Sequence, residues 1–91
     1  MTETKLLVGS LSNDLFRVAS LKQRGADKAA QRFLQEAKRW AVPLATQSDK
    51  EYIRKIAKKV TEADTANISL AEAEMYLMFG VLLQNHALHS K

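Results

Sequence analysis

Leu7, Leu11, Leu15 and Val18 recur at helical spacing, and Val8 and Ala19 widen the same stripe. The pattern predicts a first helix over residues 4–24, closed by Gly25 as a left-handed cap residue. Gly9, Ser10, Ser12 and Asn13 weaken its early turns, so a later start with Ser12 as the cap is the alternative. Phe16 falls outside the stripe, near Gly9 and Ser20, as a lone aromatic. A second stripe, Ala30, Phe33, Leu34, Ala37 and Ala41 with Trp40 beside it, predicts a helix over residues 27–41. Asp27 is its expected N-cap and Pro43 its stop, because a proline pushes the preceding residue out of helical geometry.

Two further helices start at the same signal. Ser48 with Glu51, and Ser69 with Glu72, have the spacing of a capping box, in which each side chain satisfies an orphan backbone N–H. The third helix is expected over residues 48–63, with Tyr52, Ile53, Ile56, Ala57, Val60 and Ala63 inward, and the fourth over residues 69–88. Residues 64–67 supply a polar connection between them. Short connections favour antiparallel neighbours, so the expected fold is all-α, a compact four-helix bundle forming a single domain over residues 1–91. Only three glycines and one proline punctuate the chain, which agrees with a few long helices. No internal repeat, low-complexity tract or linker interrupts it.

The fourth helix departs from the amphipathic pattern. Residues 75–83, MYLMFGVLL, are apolar without interruption. At 100° per residue, Leu70, Leu77, Val81 and Leu88 share one face and are expected to form the core stripe. Met75, Met78 and Leu82 form a second face, and Tyr76, Phe79, Leu83 and Ala87 a third, leaving Glu74 and Asn85 as a narrow polar strip. A helix apolar nearly all round is normally enclosed. In a four-helix bundle each helix usually keeps one side in water, so either the first three helices wrap around this one as a central core helix, or one apolar face is left for a second molecule. Met75, Tyr76, Met78, Phe79, Leu82 and Leu83, with Phe16 from the first helix, are the interface candidates. Gly80 lies on the Tyr76 face, where a close helix approach would account for a residue that costs about 1 kcal/mol against alanine in a helix interior.

Charge adds a second candidate surface. The net charge is +4, but residues 17–59 carry +8 and the remainder −4. Lys50, Arg54 and Lys58 are spaced four apart opposite the apolar arc of the third helix, with Lys55 and Lys59 alongside, and Lys28, Arg32 and Arg39 share a stripe on the second. Like charges at that spacing repel by a few tenths of a kcal/mol per pair. An acidic protein or a nucleic-acid backbone would relieve the repulsion. The segment VPLATQ is too long for the turn of a helix-turn-helix, and no zinc or RNA-platform motif is present.

Catalytic and cofactor chemistry finds little support. The chain has no cysteine, which removes thiol nucleophiles and disulfides and fits a reducing compartment. The opening MTETKLLVGS lacks the charged start and apolar core of a signal peptide, so a cytoplasmic location is expected. Nine helical residues rise only about 13 Å against a hydrocarbon core of roughly 30 Å, so no membrane span is expected. His86 and His89 are placed to share a metal but have no nearby acidic ligands, and Gly9, Gly25 and Gly80 are too isolated to form a phosphate loop. No metal, cofactor or catalytic residue is expected. The reading that follows is a helical interaction or homo-oligomeric module that contacts itself or another protein through the fourth helix. A nucleic-acid-binding module using the second and third helices is the alternative.

Overall fold

A computed structural model describes residues 2–89, and the side chains of residues 4–88. Four helices follow in order: α1 (Thr2–Gln23), α2 (Asp27–Gln47), α3 (Glu51–Glu62) and α4 (Leu70–His89). They account for about 85% of the described residues, pack against one another, and leave no strand among those residues. The bundle measures 37 × 21 × 18 Å. α1 is the central member: it packs along α2 and along α4, while α3 packs mainly on α2. The expected stripes of the first three helices supply most of the interior, with Val8, Leu11, Leu15 and Val18 meeting Ala30, Leu34, Ala37 and Ala41, and with Ile53, Ile56, Ala57 and Val60 closing the far side; Leu44, beyond the expected end of the second helix, joins them, and Phe33 is only partly buried. Tyr52, expected inward, is instead 42% exposed, and its ring meets His86 of α4 edge-on at 6.2 Å.

Helix ends follow the expected local chemistry at two places and depart from it at three. Gly25 has φ +81°. The Gly25 N–H donates to the Lys22 carbonyl at 3.0 Å and the Ala26 N–H to the Leu21 carbonyl at 2.9 Å, the paired bonds of a Schellman motif. At the start of α4, Ser69 Oγ accepts from the Glu72 N–H at 3.0 Å and Glu72 Oε1 from the Ser69 N–H at 2.9 Å, so this capping box forms.

The Ser48 box does not. Ser48 is the C-cap residue of α2, buried at the corner, and its Oγ accepts from the N–H of Lys50, the residue that precedes α3. Ala26, not Asp27, holds the N-cap position of α2, and Asp27 pairs with Lys22 at 3.1 Å. Pro43 does not stop α2, which continues to Gln47. Leu44 one residue later is fully buried, and seating it in the core outweighs the backbone hydrogen bond that a proline removes.

Candidate functional site: the outer face of the fourth helix

α4 places its inner side differently from the expectation. Tyr76 and Leu83 are buried, together with Ala73 and Gly80, and Met75, Phe79 and Ala87 pack against the core at its edges. Small residues set this choice. Ala73, Gly80 and Ala87 recur every seven positions, two helical turns, and let α4 approach α1 closely. Ser12 Oγ donates to the Gly80 carbonyl at 2.7 Å across that contact. The Phe16 ring covers Gly80 so tightly that a Cβ there would lie 3.1 Å from two ring carbons. Gly80 is thus explained by helix approach, and Phe16 packs on α4 of its own chain rather than standing alone on the surface. Its remaining exposure is partial.

The predicted core stripe is the outside. Leu70, Leu77, Val81 and Leu88, with Met78 and Leu82, are between 40% (Leu77) and 69% (Leu88) exposed. Of the interface candidates, Met78 and Leu82 lie on this outer face, Met75 and Phe79 at its margins, and Tyr76 and Leu83 in the interior, where no partner reaches them. Burial also raises the Tyr76 phenol, with help from the nearby Glu72 carboxylate, to about 12. A signal for the correct face was present in the sequence: on a helix apolar all round, glycine and alanine at two-turn spacing mark the side that a neighbour approaches.

The outer face extends beyond α4. Leu6 of α1 is 66% exposed, and it lines, with Gly9, Ala87 and Leu88 and the polar Lys5, Ser10 and Asn13, an open depression of about 410 Å³ at the end of the α1–α4 pair. Nothing lies within 4 Å of the point that a Cβ on Gly9 would occupy. Glu74, Gln84 and Asn85 are the exposed polar residues within the α4 face. The result is an apolar strip with a polar position toward each end.

The basic candidates separate into engaged and open positions. Arg54 donates to the Ser48 carbonyl at 2.7 Å, which ties α3 to the corner that precedes it, and Lys55 pairs with Glu51 at 3.3 Å. Arg39 lies over the Trp40 ring at 5.8 Å. Lys28, Arg32 and Arg39 are exposed on α2, Lys58 and Lys59 on α3, and Lys50 just before α3. They share no pocket among those described.

One buried polar group escaped the sequence reading. Asp14 of α1 is nearly enclosed and accepts a hydrogen bond from Trp40 Nε1 of α2 at 2.9 Å. Burial raises its carboxyl to about 6. The Trp40 bond works against that rise, the nearby Glu36 carboxylate adds to it, and Arg17 offsets it in part. A single aspartate between two apolar helix positions carries no periodic signal, so only the packing discloses it. Among the described residues no group of His, Cys, Asp or Glu is arranged to hold a metal ion, and no helix is long and apolar enough to cross a membrane. The His89 side chain, half of the His86 and His89 pair, lies outside the described residues. Compared with protein-family models, with curated proteins and with solved structures, the chain matches none.

Proposed function

We propose that this chain is a small helical interaction module without catalytic activity, which contacts protein through the outer face of α4. One observation carries the reading: six large apolar side chains, Leu70, Leu77, Met78, Val81, Leu82 and Leu88, stand together in solvent on one helix. Scattered apolar residues are normal on a surface, but a contiguous strip of this size marks a contact site. The opposite side of α4 already satisfies the bundle, so the strip serves no purpose inside the chain. A photo-crosslinking residue in place of Val81, in the cells that naturally make the protein, should yield a covalent protein adduct. The same residue in place of Gln35, exposed on α2, should yield none. No adduct from Val81 would remove the reading.

A second reading is favoured by the exposed basic residues of α2 and α3 and by Lys50 just before α3: this surface binds a nucleic-acid backbone or an acidic protein. For duplex DNA or RNA, affinity should fall steeply with salt, and replacing Lys50, Lys58 and Lys59 by glutamine should flatten that slope. An unchanged slope would exclude these residues as the footprint.

A further inference from the structure

The order of residues on the outer face says what covers it. Along one side of this face run Leu70, Glu74, Leu77, Val81, Gln84 and Leu88, separated by four, three, four, three and four residues. This is the spacing of a two-helix seam, and each of the six positions except Glu74 and Gln84 is a large apolar residue. The seam is also a palindrome about the level of residue 79. Leu70 mirrors Leu88, Leu77 mirrors Val81, and the carboxylate of Glu74 mirrors the amide of Gln84. A seam that reads alike in both directions is complementary to itself turned end for end, as a two-fold, isologous contact requires; Met78, Leu82 and Asn85 lie beside the seam and outside this symmetry, since their mirror positions Gly80, Tyr76 and Ala73 are buried.

Resting on the reading of α4 as a contact helix, we infer that its occupant is a second copy of this chain, with the two α4 helices antiparallel and crossing level with residue 79. In that pairing Leu70 faces Leu88 of the second copy, Leu77 faces Val81, and the Gln84 amide donates to the Glu74 carboxylate. Both polar positions are satisfied, once at each end of the contact. A parallel pair would instead set Glu74 against Glu74 and repel. A foreign apolar helix would leave the two polar groups facing hydrocarbon.

The ends of the strip fit the same arrangement. The seam from Leu70 to Leu88 is about 27 Å long at 1.5 Å per residue, and the second copy's Leu70 arrives beside Leu88. There it meets exposed Leu6 and the depression over Gly9. Leu70, Leu77, Val81 and Leu88 of the seam, Met78 beside it and Leu6 of α1 make six large side chains, which at on the order of 100 Å² each give about 600 Å² per partner, a smaller contact than the roughly 800 Å² of a standard interface and one suited to association at micromolar concentration.

The test uses the full chain, whose lack of cysteine makes single-cysteine crosslinking unambiguous. Sedimentation at micromolar concentration should give twice the 10.2 kDa chain mass. Under mild oxidation, an equimolar mixture of the Leu70→Cys and Leu88→Cys variants should form a disulfide-linked dimer at least ten times faster than either variant alone. Gln84→Lys should tighten the dimer by roughly two- to five-fold for each of its two ion pairs at low salt, and Gln84→Glu should weaken it by a similar factor. Leu70→Cys crosslinking to itself as readily as in the mixture would overturn the antiparallel pairing. A concentration-independent monomer would overturn the second copy as occupant. That failure is distinct from failure of the contact reading, because a Val81 adduct with a different protein would preserve the contact surface while removing this inference.

Discussion

Gly9, Gly25 and Gly80 meet three different surroundings, and alanine at each should change stability for a different reason. Gly9 is helical with open space where a Cβ would go, so Gly9→Ala should stabilise the fold by about 0.5–1 kcal/mol through helix propensity alone. Gly25 has φ +81°, where a side chain is strained, and Gly25→Ala should destabilise by about 1 kcal/mol. At Gly80 the same propensity gain is opposed by the Phe16 ring at 3.1 Å and by a 2.7 Å hydrogen bond that holds the two helices together. Overpacking wins there, and Gly80→Ala should destabilise by about 1 kcal/mol. Thermal or urea unfolding of the three variants reads the signs directly.

Asp14 makes the pH dependence of that stability specific. Its carboxyl is raised to about 6 from the usual 3.8, so the folded protein holds the proton more tightly than the unfolded chain. Stability contributed by this group is therefore greatest below about pH 4, falls as pH rises toward about 6, and is flat above. At about 1.4 kcal/mol per pKa unit the fall should be up to about 3 kcal/mol, and Asp14→Asn, which keeps an oxygen for Trp40, should abolish it in urea titrations across that range.

Among the elements, α2 shows how packing overrides a local rule. Pro43 lies four residues before the end of a helix of 21 residues, and it deprives the Arg39 carbonyl of its usual donor. The helix continues because Ala41 and Leu44 on either side are fully buried. Pro43→Ala should restore the missing bond and stabilise the fold by about 1–2 kcal/mol, partly offset by the greater freedom of the unfolded chain. A loss of stability would mean that the proline ring itself fills the α2 surface. α3 is the shortest helix, and its start depends on a buried corner: Ser48 is engaged by the end of α2 and by Arg54, so the serine that signals a helix start in the sequence closes the previous helix instead.

For the whole molecule, the position of α1 decides which side of α4 is inside. Leu83 is fully buried against the core, and Leu83→Glu should unfold the chain by placing an unpaired charge there. Leu77 is 40% exposed, and Leu77→Glu should leave the helical circular dichroism unchanged while shifting the sedimenting species to a monomer. Unfolding by both variants would return Leu77 to the core and would remove the outer face. The two leucines are chemically identical and six residues apart, so the contrast isolates tertiary position from composition.

Local spacing along the chain was enough to read four helices, the left-handed turn at Gly25, the capping box at Ser69 and the inward stripes of α1, α2 and most of α3. Each of these is written in local spacing, where a polar side balances an apolar one or a side chain reaches its own backbone. The inner face of α4 was carried only weakly there, because the polar strip of Glu74 and Asn85 is too narrow to orient an otherwise apolar helix and small residues at two-turn spacing mark a close approach without naming the neighbour. Tertiary structure decided that face through the close approach that Ala73, Gly80 and Ala87 permit to α1. It also decided the passage of α2 through Pro43 and the burial of Asp14, since in both the controlling neighbour is distant in sequence or its packing outweighs a local preference.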